Sequence, residues 1–251
     1  MLAVISPAKT LDFARPLPDL PVTAPRFAGD ADRLAAAAAR LSKAKLGALM
    51  HISPKLAELN SGRFRGFAGQ PERPALYAFA GDVYVGFEVR SLDEEAVLFA
   101  QEHLRILSGL YGLLRPLDAI RPYRLEMGTR WAPRRRDLYS YWGARIAETL
   151  AADAAAQGDR VVVNLASKEY WRAAERHLDP RLEVIEIDFR EEGPEGLRFD
   201  TFAAKRARGM MARYICEHRL GDPEALKGFD SDGYRYDPEN SDGRRWRFSR
   251  T

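Results

Sequence analysis

Apolar runs and amphipathic stretches follow one another along most of this chain. Leu2-Ala3-Val4-Ile5, ended by Ser6-Pro7, predicts a buried strand. Pro16, Pro18, Pro21 and Pro25 make residues 14 to 28 an extended loop, and the alanine-rich stretch Asp30 to Leu49 predicts a helix. Ser53-Pro54 marks the start of another helix running toward Asn60, with proline at its first position. Arg63, Phe64, Arg65 and Phe67 follow in a glycine-rich connector. Ala75 to Phe79 reads as a strand that carries on through Gly81 to Phe87, and an acidic first turn at Asp93-Glu94-Glu95 opens a helix reaching Leu107. A helix over residues 140 to 156 precedes the clearest strand, Val161 to Ala166. Glu183 to Phe189 alternates as a half-exposed strand does, with Phe199 to Phe202 expected to pair with it across Gly193-Pro194. Ala203 to Leu220 predicts a helix, and the rest, from Gly228 on, reads as a polar tail with aromatics and a basic end.

The stretch from Leu104 to Asp118 stands apart. Leu104, Leu107, Leu110 and Leu114 keep a helical spacing broken by Gly109 and Gly112, which predicts a helix end, a glycine turn and a second apolar segment carrying Arg115. Such a turn either aims N–H groups at a phosphate or forms a buried corner with Arg115 on its rim. Beyond it, Arg121-Pro122-Tyr123-Arg124-Leu125-Glu126 predicts an extended, rigid segment, and basic residues recur at Arg130, Arg134, Arg135 and Arg136. No repeat or linker appears, so one mixed α/β domain over residues 1–251 is expected.

Composition narrows the function classes. Cys216 is the single cysteine, which excludes a disulfide framework, and His51, His103, His177 and His218 never take a zinc-ligand spacing. No metal site or cofactor is expected. The opening residues are too few for a signal-peptide core, and no apolar run approaches the roughly 20 residues of a membrane span. A soluble cytoplasmic protein without membrane contact is the expectation. The net charge of +3 is modest, so a polyanion partner would need a localised basic patch.

Candidate chemistry gathers at strand ends. Ser6, Lys9 and Thr10 follow the first strand; Asn164, Ser167, Lys168 and Glu169 close the Val161 strand; Glu126 lies in the rigid arginine segment. In α/β sheets, ligands sit in the crevice beyond the carboxyl ends of strands. Turn formation and ion pairing would account for each of these residues as well.

Several blocks together resemble the bacterial peroxide stress protein YaaA family. They are Ile5-Ser6-Pro7-Ala8-Lys9-Thr10-Leu11-Asp12, Phe99-Ala100-Gln101 with Leu104-Arg105, Leu107 to Gly112 with Leu114 to Asp118, and Pro122 to Gly128. Asn164 to Ser167 with Glu169-Tyr170, Ala204-Lys205 with Ala207 to Gly209, and Gly228-Phe229 with Gly233-Tyr234 complete the pattern. The resemblance implies a cytoplasmic protein of the hydrogen-peroxide response that limits damage from unincorporated iron. It also implies DNA binding by a mixed α/β fold of unusual topology, with a basic cleft and a helix-hairpin-helix element. That element falls on residues 104 to 118, although Leu110 and Tyr111 separate its glycines where the common pattern has one residue.

Three functions follow. The first is a sequence-nonspecific binder of duplex or branched DNA, acting as a monomer, with phosphate contacts from Gly109 and Gly112 N–H groups and from Lys9, Arg115, Arg124, Lys168, Lys205 and Arg208. The second is an enzyme acting on a nucleotide, nucleobase or damaged DNA through Ser6, Thr10, Glu126, Asn164, Ser167 and Glu169. A backbone clamp has no need of the two acids, which act on protons or orient Arg124 and Lys168. The third, direct iron binding, would draw on Asp230, Asp232, Asp237 and Asp242, which also suit turns.

Overall fold

The computed structural model describes residues 1–158, 160–194 and 196–250. In chain order the elements are β1 (Leu2–Ile5), α1 (Ala28–Ala39), α2 (Lys43–Met50), α3 (Pro54–Arg65), β2 (Arg73–Pro74), α4 (Ala75–Ala78) and α5 (Asp82–Phe87). Next come α6 (Glu94–His103), β3 (Leu104–Ser108), β4 (Gly112–Leu114), β5 (Ala119–Ile120), α7 (Leu138–Trp142), α8 (Arg145–Ala156) and β6 (Val161–Asn164). The chain finishes with α9 (Lys168–Glu175), β7 (Glu183–Gly193), β8 (Gly196–Arg198), α10 (Thr201–Glu217), β9 (Arg235–Asp237) and β10 (Arg245–Arg250).

Eight of the strands form one sheet in the order β4-β3-β1-β6-β7-β10-β9, with β8 paired to β7, while β2 and β5 pair separately. β3, β1, β6, β7 and β10 are parallel, and β4 and β9 add antiparallel edges. Taken in chain order, the five parallel strands run 2-1-3-4-5, a doubly wound order that reverses between β1 and β6. Every residue of β1 is buried, so helices cover both faces at the sheet centre. α10 lies against β1 and β7 with α5 and α6 packed on it; α8 and α9 pack together beside β4 and β3. Among the described residues, no helix is long and apolar enough to cross a membrane.

Local chemistry explains many boundaries. Ser53 caps α3 by accepting from Leu56 N, with Pro54 at the first position, and Asp200 caps α10 by accepting from Phe202 N and Ala203 N. α5 and α10 touch through backbone: a Cβ on Gly86 would lie 2.1 Å from Arg206 O, and one on Gly209 would lie 1.8 Å from Val83 O.

The expected helix-hairpin-helix at residues 104 to 118 is a β-hairpin. α6 ends at His103, Leu104 is already extended at φ −119 and ψ 142, and Ile106, Leu107 and Ser108 pair with Leu114, Leu113 and Gly112. The leucine spacing misleads because both strands are wholly buried, so no polar alternation betrays the period of two. Ala75 to Phe79, expected as a strand, forms the single-turn α4, and the following Asp82 to Phe87 forms α5. A short apolar run that is fully buried reads alike in both states. The long helix expected from Asp30 is two, divided where Ser42 caps α2 by accepting from Lys45 N, and the helix expected over 140 to 156 is divided at Gly143, which has φ +53. Phe199 to Phe202 does not pair with β7; Gly196–Arg198 does, and Thr201 already begins α10. The polar tail supplies β9 and β10.

Candidate functional site

The reversal between β1 and β6 places the loops after these strands side by side. Ser6 Oγ accepts from Ser167 N at 2.9 Å and faces Ser167 Oγ at 3.4 Å, tying the two strand ends together. The Ser6 carbonyl accepts from the Tyr84 hydroxyl at 3.1 Å, so α5 supports the same corner. Asn164 is spent locally: its Oδ1 accepts from Ala166 N at 2.9 Å and shapes the turn into α9. Ser167 stands at the N-cap of α9, where its side chain makes no capping bond and turns to Ser6 Oγ instead.

Three residues beyond Ser6, Lys9 reaches Glu126. Its Nζ lies 3.6 Å from Glu126 Oε1, and the side chain remains 65% exposed. Arg124 Nε donates to the same Oε1 at 2.9 Å. Glu126 Oε2 is buried and has no hydrogen-bond partner. The segment carrying Glu126 is seated from beneath by Gly109, where a Cβ would fall 2.2 Å from Leu125 O and 3.1 Å from Glu126 C. It continues over α9, where Gly128 N donates to Glu169 Oε1 at 2.9 Å. Burial first, then Tyr123 and the Glu169 and Glu126 carboxylates nearby, push the Tyr170 hydroxyl well above its ordinary range, so it stays protonated under the site. Burial likewise raises Tyr84 and Tyr123.

Beyond the carboxyl ends of β1 and β6, then, Ser6 pairs with Ser167, Lys9 and Arg124 pair with Glu126, and Glu169 holds the backbone that follows Glu126. Thr10, next to Lys9, is exposed, with its carbonyl accepting from Ala80 N. Lys205 stands near the same loop: its Nζ lies 3.7 Å from Asp82, and a Cβ on the adjacent Gly81 would touch Ala8 Cβ at 2.9 Å.

The remaining residues are placed otherwise. Arg115 is bound to Asp118, itself fully buried, at 2.9 Å and to Ala24 O at 3.2 Å, so its charge holds a turn. Gly109 and Gly112 are buried packing positions rather than exposed donors: Gly109 O accepts from Trp142 Nε1 at 3.1 Å, and Gly112 (φ +69) lies under the Trp142 ring, 2.8 Å from where a Cβ would be. Burial lowers the Arg208 guanidinium and Asp188 offsets it in part; its Nε is buried without a partner. The tail aspartates are used in turns and ion pairs: Asp232 with Arg250, Asp237 with Asn240, Asp242 with the N–H groups of Arg244 and Arg245. Among the described residues, no three His, Cys, Asp or Glu side chains gather as a metal would need.

The packing also recruits residues that spacing alone leaves unconnected. The Tyr139 hydroxyl donates to Glu169 O at 2.8 Å, and the Arg172 guanidinium lies 5.0 Å from the Tyr139 ring centre. With the Gly128 bond to Glu169, these contacts fix both ends of the segment 128–139 at the start of α9. Arg130, Arg134 and Arg135 in that segment, and Lys168, Arg172 and Arg176 on or just after α9, are all exposed, and among the described residues only Arg172 of these six has a side-chain partner, an aromatic ring. The i, i+4 spacing of Lys168, Arg172 and Arg176 was the sequence signal that would have found the helix half of this patch. A cavity of about 280 Å³ lies beside Pro16–Leu20, and one of about 360 Å³ lies between α8 and the residues that follow Arg176, His177 among them.

Comparison with known proteins agrees with the motif blocks. A family model described as peroxide stress protein YaaA matches residues 1–240. A UPF0246 protein of Rhizorhabdus wittichii is 63% identical, with all of both chains covered. UPF0246 proteins of a Jannaschia strain (52% identical, 96% of this chain and 93% of that one) and of Caulobacter vibrioides (49%, 100% and 99%) are also similar. The chain belongs to the peroxide stress protein YaaA family.

Proposed function

We propose that this protein of the peroxide response binds DNA through phosphate contacts, without reading sequence, on the face formed by the 130–136 loop, α9 and the Lys9 loop. The observation that carries the reading is that Arg130, Arg134, Arg135, Lys168 and Arg176 are exposed and, among the described residues, have no acidic partner. Cations already neutralised by a nearby carboxylate gain less from a phosphate, and that describes Arg115, Arg124 and Lys205. Lys9 belongs with the free set in part, since its head group stays largely in water beside Glu126.

A duplex carries its charge with a condensed counterion layer, which bound arginines displace. Ferrous ions in that layer leave with the rest, and this connects backbone coating to limited oxidative damage from unincorporated iron. Duplex or branched DNA is the partner, a cytoplasmic monomer the acting form, and no cofactor is required.

Fluorescence anisotropy of a labelled duplex across a salt series tests this. Each phosphate contact removed is expected to lower the slope of log K against log salt by about 0.9. The Arg130→Ala, Arg134→Ala, Arg135→Ala triple variant should therefore lose close to three such increments, and Arg115→Ala none. A salt-independent affinity, or a triple variant that binds as wild type, sinks the reading.

A further inference from the structure

We infer that the cavity of about 280 Å³ beside Pro16–Leu20 is a binding site for a free amino acid with an apolar side chain. The cavity opens to solvent, and its walls are largely apolar: Leu20 from the proline loop, Val89 and Leu92 at the turn Val89–Ser91, and Val97 from α6. Ligand pockets begin at roughly 300 Å³, so a volume at that lower bound suits a molecule of amino-acid size. Water against apolar walls is readily displaced by an apolar group.

Two donors line this cavity with capacity left over. Tyr77 is only 5% exposed, and its hydroxyl has no hydrogen-bond partner among the described residues. That oxygen is not sealed from solvent, and the opening it meets is the cavity that Tyr77 lines. Burial holds the hydroxyl above its ordinary range, with the Arg90 charge opposing, so it is a donor at neutral pH. Arg90, whose guanidinium lies 5.9 Å from the Tyr77 ring centre, gives one N–H to Pro16 O at 2.7 Å. Its ion-pair partner, Asp12, stands 3.8 Å away, beyond hydrogen-bond reach, and already accepts from Ala14 N and Arg15 N. A carboxylate in the cavity would fill both donors. The turn that presents Arg90 is held in place by α10, where Arg213 Nη1 donates to Glu88 O at 3.0 Å and to Ser91 Oγ at 2.7 Å. A site fixed in advance costs a ligand little ordering.

Two acids select the rest of the ligand. Asp19 and Glu94 line the same cavity, both exposed, and among the described residues neither side chain has a hydrogen-bond or ion-pair partner. A simple carboxylic acid would meet two like charges there, and a simple amine would leave Tyr77 and Arg90 unfilled. An amino acid carries a carboxylate for Tyr77 and Arg90, an ammonium for Asp19 and Glu94, and a side chain for the apolar walls. The cavity shares no residue with the surface proposed for DNA, and the inference does not depend on that reading.

Calorimetric titration of the full chain with L-valine, L-leucine, L-isoleucine, L-methionine and L-phenylalanine tests this, and at least one is expected to bind. For the tightest of them, Tyr77→Phe should weaken binding about 10-fold, the effect of losing a hydrogen bond to a charged group. The N-acetyl derivative of the same amino acid lacks the ammonium and should bind wild type about 10-fold more weakly, by the same measure. The double variant Asp19→Asn, Glu94→Gln should remove that preference, weakening the amino acid while leaving its N-acetyl derivative no weaker. A thermal melt of each variant without ligand separates lost binding from lost folding. No binding of any of these amino acids at millimolar concentration overturns the inference. So does a folded Tyr77→Phe variant that binds as wild type, or an N-acetyl derivative that binds as tightly as its parent.

Discussion

Replacing Asp153 with alanine is expected to destabilise the protein by about 3–5 kcal/mol, the range for breaking a buried ion pair from one side. Asp153 on α8 accepts from Arg26 Nη1 at 2.7 Å and from Arg105 Nε. Arg105 points from the central sheet at 3% exposure, and its Nη1 also donates to Gln101 O and Leu104 O. With the carboxylate gone, a guanidinium stays buried with no counterion. Burial alone would raise the Asp153 carboxyl, but the Arg26 hydrogen bond and the Arg105 charge outweigh it and hold it below its ordinary value. The sign of the pH dependence follows. A carboxyl depressed in the folded chain stabilises fully above the unfolded value of about 3.9, and the stabilisation is lost as pH falls through the lower folded value. Urea melts from pH 7 to pH 3 should show wild type losing stability below about pH 4, with the Asp153→Ala variant starting lower and losing less over that interval. An equal acid-induced loss in both proteins would show that the stabilisation lies elsewhere.

Gly109→Ala should cost about 1–3 kcal/mol, as overpacking of a rigid interior does, and should also displace the Glu126 segment. The added methyl would stand 2.2 Å from Leu125 O, against backbone rather than the end of a flexible side chain. Either β3 and β4 shift together or the 125–126 backbone rises off them, carrying Glu126 away from Lys9. Gly62→Ala is the control: it lies exposed within α3 with nothing within 4 Å of its added methyl, and should be neutral or stabilising by up to about 1 kcal/mol. Chemical denaturation of both variants checks the contrast. Equal stabilities would mean that the glycine turn is not packed as described.

What the sequence disclosed follows from where each signal arises. β1, β6 and the start of α3 carry their own punctuation, in Ser6-Pro7, in the polar residues after Asn164 and in Ser53-Pro54. β3 and α4 carry none, since their apolar residues face core on every side and tertiary packing alone sets their state. β10 did have a signal: Trp246 and Phe248 alternate with Arg245, Arg247 and Ser249, but the arginines gave the segment the look of a tail. Strand-end position singled out Ser6, Lys9, Ser167 and Glu169 as candidates, and the structure sets Ser6 beside Ser167 and Lys9 beside Glu126. It gave no means of knowing that Arg115 is committed to Asp118, or that Tyr139 ties the start of α7 to α9, because those contacts are set by the folded chain.

Amide hydrogen exchange with and without a saturating DNA duplex at low salt tests the central claim most directly. Slowed exchange is expected in residues 128–139 and in α9, with little change around Arg115 or along β9 and β10. Protection centred on the β3–β4 hairpin and Arg115, or no protection anywhere under conditions where anisotropy shows binding, would contradict the assignment of the DNA surface to this face.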